Sequence, residues 1–465
     1  MLAPLKTLEQ IIARLGETID SLELSRTDGF ASLVLELPHG LSRAPDLPGP
    51  QFQFAHNHRG EVRAGYGVAG EWVAQGDLRL RQLQVIAKGI SRAWQHQDPD
   101  ETGFKGFAML GFAASPDERP EASMVDGHSL PNALLWIPEL ALSSRTGQSA
   151  VILTTALPVS RERAFSRWKE QLKRTIPHLN QPALAPLTPA HLDHGATIPD
   201  FRHWKTLVAT ALQQIDQARL EKVVICRRLR LHGHRRFDLT RLQAALAYLF
   251  PSCQVVTIRR HLASFVAATP ERLLTQQRGI VEVDAIAGTA CRAPSAARDA
   301  QLTTELQTSP KNLREHNVVV DAVVDALRQC SRRIERPETP QVMQLNNAQH
   351  LWTMIRAELI PGMDVFQLAE LLHPTPATNG QPCARARAWL RQVEPFQRGW
   401  YTGAAGILEP DLTGELWVLL RCASIHDRTA DLFAGAGIVA GSDAELEWQE
   451  TAHKLAAMSS ALQFA

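Results

Sequence analysis

Five β-branched or apolar runs in the C-terminal half are separated by connections of very unequal length: "EKVVICRRLRL" (221–231), "CQVVTI" (253–258), "GIVEVDAIAG" (279–288), "GELWVLLRCASI" (414–425) and "ADLFAGAGIV" (430–439). Each reads as a strand. A doubly wound parallel sheet would need a helical crossover of similar size between successive strands. Here the strands cluster in pairs and the helical segments fall at irregular intervals, so the expected fold is α+β with largely antiparallel sheets. No internal repeat of fixed period is visible.

A helix is expected from Asp200, because Trp204, Leu207, Val208, Ala211, Leu212 and Ile215 share one face at helical spacing. The first 180 residues mix helix-like stretches such as "SRERAFSRWKEQLKRTI" with strand-like ones such as "FASLVLELP" and "SAVILTTALP", and carry no motif. The proline-rich segment from Asn180 to Pro199 reads as a linker or surface loop. A net charge of +1 without a polybasic run leaves no electrostatic footprint for nucleic acid or an anionic membrane. Acids at Glu9, Glu17, Asp321 and Asp325 interrupt the apolar stretches that could have served as a secretion signal or a membrane span. The six cysteines form no CxxC pair and are expected to be reduced and buried, in a cytoplasmic protein.

"GAGIVAG" (435–441) follows a strand and precedes a helix, as a dinucleotide-binding loop does, but its spacing is GxGxxxG and no later strand exists to meet a ribose. The glycines can instead serve close approach of a ligand to the backbone. On the following helix Glu447, Glu450 and Lys454 lie on one stripe. Alone, this is a solvated face with an i,i+4 ion pair. A second acid helix, "SPKNLREHNVVVDAVVDAL", offers Glu315, and carboxylates from two helices around one cavity would suit a hard cation such as magnesium.

Taken together, eight segments in order resemble the chorismate-utilising enzymes, the family of isochorismate, salicylate, anthranilate and aminodeoxychorismate synthases. They are "EKVVICRR" (221–228), "ATPERLL" (268–274), "DAIAGTA" (284–290), "KNLREHN" (311–317), "LLHPTPATNG" (371–380), "ELWVLLRCA" (415–423), "LFAGAGIV" (432–439) and "EWQETAHKL" (447–455). The resemblance runs from about Asp200 to the C-terminus. It implies two stacked, largely antiparallel sheets flanked by helices, with 196–465 as the chorismate-binding catalytic domain and 1–195 as a variable N-terminal portion of the same compact unit.

The resemblance also implies roles. Lys222 matches the general base, which must be neutral to act; on residue type alone it reads as a strand-edge lysine beside Glu221. Glu271 matches the general acid, which must keep its proton near neutral pH; otherwise it reads as an acid in the first turn of a helix. His350 matches a histidine near the substrate ring, its alternative being a satisfied core histidine. Glu315 and Glu450 match ligands of Mg²⁺, with Glu447 as an additional acid. Arg421, Lys454 and Tyr401 match groups that hold the substrate carboxylate or enolpyruvyl group, while Gly288, Thr289 and Gly435 supply close contacts.

Ala287 stands where aminodeoxychorismate synthases of the common type carry a nucleophilic lysine. Lys222 stands where anthranilate synthases usually have glutamine, which points to water rather than ammonia as nucleophile and to no obligatory glutaminase subunit. The expected activity is therefore Mg²⁺-dependent isochorismate synthesis from chorismate, with salicylate synthase and anthranilate synthase component I as alternatives. Ala377 favours the first. Thr378, at a position usually bulkier in isochorismate synthases, leaves further loss of pyruvate open. The product would feed siderophore, salicylate or menaquinone formation.

Overall fold

The computed structural model describes residues 2–38, 40–41, 43–117, 130–145, 147–179, 188–346 and 348–465. Nine elements position the site: β1 (Lys222–Gly233), β2 (Ala263–Thr269), β3 (Arg272–Gln277), β4 (Ile280–Cys291), α1 (Pro310–Arg328), β5 (Gly414–Val418), β6 (Cys422–His426), β7 (Thr429–Ile438) and α2 (Ala444–Leu462). Among the described residues they belong to two stacked sheets of 13 and 10 strands with helices outside, an α+β architecture.

The larger sheet contains β1, β7, β6 and β2 side by side, and continues through Gln254–Arg260 and Gln51–His56 into the N-terminal strands. The smaller contains β4, β3 and β5, and continues through Ala404–Leu408 and Ala108–Phe112. Pairing is antiparallel in these ladders, whereas Phe30–Glu36 runs parallel to Trp94–Gln97. Strands from both ends of the chain therefore lie next to one another in each sheet.

Between the sheets, alternate residues of facing strands form an aromatic core, in which Phe52 and Trp136 meet edge to face with centroids 5.2 Å apart. The same cluster reaches Val224, Cys226, Tyr401 and Phe433, so the packed interior passes into the walls of the site described below.

Part of the expected linker is a strand. Residues 180–187 lie outside the described residues, but Leu192–Ile198 pairs with β1, with a bulge between His194 and Thr197. Pro189 and Pro199 flank this edge strand and do not interrupt it, which is where proline is tolerated. The 195/196 boundary falls inside it. Of the six cysteines expected to be buried, Cys291 is exposed at the end of β4 and Cys383 is partly so. The strand expected over 414–425 is two strands, β5 and β6, in different sheets.

The helix Phe201–Asp216 begins where expected, with the Asp200 carboxylate accepting from the His203 N–H at 2.8 Å as an N-cap. Its buried face is Trp204, Leu207, Val208 and Ala211. Trp204 braces α2: its indole N–H donates to the Ala444 carbonyl at 2.9 Å and its ring meets Trp448 at 5.7 Å. Trp204→Ala should cost roughly 3–5 kcal/mol, the range for deleting a large buried aromatic. Urea unfolding measures this, and a loss below about 1 kcal/mol would show that the brace is not structural.

Candidate active site

Two of the chain's crossings between the sheets lie against each other. Pro270 and Glu271 carry it from β2 to β3, and 419–421 return it from β5 to β6. The Val418 N–H donates to the Glu271 carbonyl at 3.0 Å, the Ala268 N–H to the Arg421 carbonyl at 3.1 Å, and the Thr269 hydroxyl to the Val418 carbonyl at 2.6 Å. Arg421 has φ of +46°, the left-handed conformation that lets a strand turn out of its sheet. Glu271 thus stands on a crossing and not at the start of a helix.

Both crossing residues line a cavity of about 720 Å³, its mouth included. Glu271 is fully buried, which pushes its carboxyl up to about 8 despite the opposing charge of Lys222. Arg421 donates from Nη2 to His350 Nε2 at 2.7 Å. Since a guanidinium only donates, Nε2 is the acceptor, and the ring proton is on Nδ1, near Thr289 Oγ1 at 3.1 Å and the Gly288 carbonyl at 3.4 Å. Burial, with Arg421 and Lys454 nearby, holds His350 well below the usual histidine range, so it is neutral. Arg421 Nε is buried and has no hydrogen-bond partner among the described residues. An unpaired guanidinium N–H at a cavity wall suits an anionic ligand.

Thr289 faces His350 across the β4 ladder, and the bulge at Gly288, with φ of +76°, turns its carbonyl toward that ring. Gly435 and Gly437 are not in a turn; they lie within β7, opposite Cys226 and Val224 of β1. A Cβ at Gly437 would overlap the Glu315 carboxylate and stand 2.9 Å from Lys222 Cε. The missing side chain is what admits both groups. Lys222 itself is fully buried beside Gly437, with Nζ 3.1 Å from Glu315 Oε1 but no aligned hydrogen bond, and it does not line the cavity.

Glu315 on α1 and Glu450 on α2 both line the cavity. Lys454 also does so, bonding Glu450 at 2.6 Å and the Gly435 carbonyl at 2.9 Å, so the i,i+4 pair belongs to the site. Glu447 is set behind it, buried against Lys311 at 2.6 Å. Burial and the Glu450 charge raise the Glu447 carboxyl, and Lys311 opposes them.

Ala377, Thr378 and Tyr401 form another wall, with Tyr401 stacked on Phe433 at 5.3 Å, and Ala287 also lines the cavity. The Thr378 hydroxyl is turned back on its own loop, 3.2 Å from the Thr375 hydroxyl and 3.3 Å from its carbonyl. Lys311 and Arg398 escaped the sequence reading. Lys311 had a signal, sitting four residues before Glu315 on one helix face. Arg398 had none, because its partners come from three separate segments.

The unusual acidity of Glu271 has a consequence for stability. Its ordinary value is 4.5 and its folded value about 8, so the stabilisation of the protonated form is whole below pH 4.5 and is lost as pH rises through about 8. Glu271→Gln, which cannot ionise, should gain in stability relative to the parent as pH is raised from 5 to 8. Thermal unfolding at both values tests this; a difference independent of pH would mean an ordinary carboxyl.

The sequence matches the family described as chorismate binding enzyme over residues 30–463. It is 33% identical to isochorismate synthase DhbC of Bacillus subtilis over 340 residues, covering 70% of this chain and 83% of that one. It is 37% identical over 272 residues to a Pseudomonas aeruginosa protein named salicylate biosynthesis isochorismate synthase, covering 57% of this chain but only 56% of that relative's length. The structure is similar to that of MenF, the menaquinone-specific isochorismate synthase of Escherichia coli, with a TM-score of 0.78 at 26% identity, covering 98% of this chain and 99% of that one. A cavity built by two sheet crossings and an overall likeness of this extent lead to one conclusion: the chain belongs to the chorismate binding enzyme family.

Proposed function

We propose that this protein converts chorismate to isochorismate, adding water at ring C2 while the C4 hydroxyl leaves. The observation that carries the reading is Glu271, a fully buried carboxyl protonated near neutral pH and set in a cavity that also holds Arg421 and Lys454. A departing hydroxyl needs a proton, and a carboxylic acid with a value of about 8 can supply one at pH 7.

The substrate is a dicarboxylate. Arg421, with its unpaired Nε, and Lys454 supply the donors and charge to hold it. His350 uses both ring nitrogens within the protein, which makes it the anchor of Arg421 rather than a proton carrier. Lys222 takes the proton from water, and the gap at Gly437 is its way to the cavity. Ala287 leaves no amine at the position of the covalent nucleophile of related synthases, and the ordinary product is free of nitrogen.

Glu315 and Glu450 present hard oxygen donors to the same cavity, where they would repel a dicarboxylate unless a cation stood between. No group of three or more His, Cys, Asp or Glu is gathered as a metal cluster among the described residues, so Mg²⁺ would rest on Glu315 and Glu450, with Glu447 behind and water completing the shell. When bound, it supplies the charge that neutralises and orients the ring carboxylate. Free cysteines and the absence, among the described residues, of a helix long and apolar enough to cross a membrane accord with cytoplasmic action, and the reading includes no glutaminase subunit.

A second reading rests on Thr378, a small residue in the cavity wall: release of salicylate and pyruvate. Incubation with chorismate and Mg²⁺, followed by separation of products, decides between them. Isochorismate is expected as the main product; salicylate as the dominant early product would favour the second reading, and anthranilate formed only with ammonium would overturn both.

Lys222→Ala and Glu271→Gln should each lower kcat about 10²- to 10⁴-fold while KM changes little. Parental turnover in either variant would remove that residue from the mechanism. EDTA should abolish turnover, Mg²⁺ should restore it, and Glu450→Gln should raise the Mg²⁺ concentration required. Unchanged rates in EDTA would exclude the metal.

A further inference from the structure

The Arg398 guanidinium is buried behind the wall of the active-site cavity and does not itself line that cavity. Its Nε donates to Glu394 Oε2 at 2.8 Å and its Nη2 to Glu394 Oε1 at 2.5 Å, a bidentate pair almost closed to solvent. The remaining donors reach two backbone carbonyls: Nη1 to Thr378 at 2.7 Å and Nη2 to Val224 at 2.8 Å. Both Thr378 and Val224 line the cavity. One side chain thus ties the 375–378 loop to β1 from behind, with Glu394 fixing its plane.

The neighbouring ties do not make this one redundant. The Thr378 N–H bonds back to the Thr375 carbonyl at 3.1 Å and its hydroxyl stays within the same loop, so neither reaches β1. The Val224 N–H to the Asn379 carbonyl, at 2.9 Å, and the pairing of Gly380–Gln381 with Lys222–Val223 anchor the residues after Thr378 but not Thr378 itself. A buried ion pair of this kind contributes little net stability over an apolar replacement, but it imposes geometry. A guanidinium serves three acceptors in one plane, which an ammonium on a flexible stem cannot reproduce.

We propose that Arg398, oriented by Glu394, is a positioning residue that holds the Ala377–Thr378 wall against Val224 and so limits the conversion of bound isochorismate to salicylate and pyruvate. The inference rests on the isochorismate reading above. In the side reaction the ring C2–H bond and the C3–O ether bond break, and the proton from C2 joins the enolpyruvyl methylene carbon. That carbon becomes the methyl of pyruvate, the ether oxygen leaves as its keto oxygen, and the ring becomes salicylate. No oxidant or further reactant is needed. The transfer requires the enolpyruvyl group to fold over C2, a conformation that a fixed wall restricts and a displaced one admits.

Arg398→Lys keeps the charge and loses the plane; Glu394→Gln keeps Arg398 and loosens its hold. Each purified variant is given chorismate with Mg²⁺ and, separately, isochorismate, and the ratio of salicylate to isochorismate is followed with time beside the thermal midpoint. The ratio should rise on the order of tenfold in both variants, the scale of a sub-ångström misplacement. Thr378→Leu in the Arg398→Lys background should lower it again. A lower midpoint and slower turnover with the ratio unchanged in both variants would leave Arg398 a structural residue and overturn the proposal. Failure of the parent protein to make isochorismate would instead overturn the functional reading on which it rests.

Discussion

Everything at the site depends on the two sheet crossings being neighbours. A strand that leaves one sheet for the other must give up its ladder for two or three residues, and buried N–H and C=O groups left unpaired there would be costly. Here each crossing supplies the other's partners, through Val418 to Glu271 and Ala268 to Arg421, with the Thr269 hydroxyl closing a third bond. The two side chains of opposite character, a protonated carboxyl and a fixed cation, are placed by backbone bonds and not by packing alone. Their separation is therefore insensitive to surface change.

Buried charge is handled in two ways around the cavity. Behind the cavity, Arg398 is paired with Glu394 and Lys311 with Glu447. Arg421 Nε at the cavity wall and Lys222 Nζ behind it are left without an aligned acceptor. An unsatisfied guanidinium N–H in the wall of a cavity that also holds Lys454 suits an anion. The β7 glycines belong to the same economy of space, since a methyl group at Gly437 would occupy the volume that Glu315 and Lys222 share.

Much of this was legible in the sequence. The runs at 221–231, 253–258, 279–288 and 430–439 are strands, the Asp200 helix begins at its cap, and eleven of the thirteen expected site residues line one cavity. What periodicity misses is a change of sheet without a change of composition: "GELWVLLRCASI" is uniformly strand-like, yet turns at Arg421 through a single positive φ. The same blindness made Glu271 look like the start of a helix. Lys222 and Glu447 stand behind the cavity because spacing reports which face a residue shares, not how deep it lies. Arg398 depends on carbonyls of residues 224 and 378, and backbone acceptors have no sequence signature.

The interleaving of the chain's two ends sets the order in which the protein can be made. Gln51–His56 pairs with Gln254–Arg260, and Ala108–Phe112 with Ala404–Leu408. A ribosome adding about 5–20 residues per second needs roughly 10–40 s to deliver the partner of the first of these strands, and longer for the second. Throughout that interval an apolar strand such as "QFQFAH" is exposed with an open edge, the condition under which chains join to one another. Translation speed therefore sets how long that edge waits for its partner.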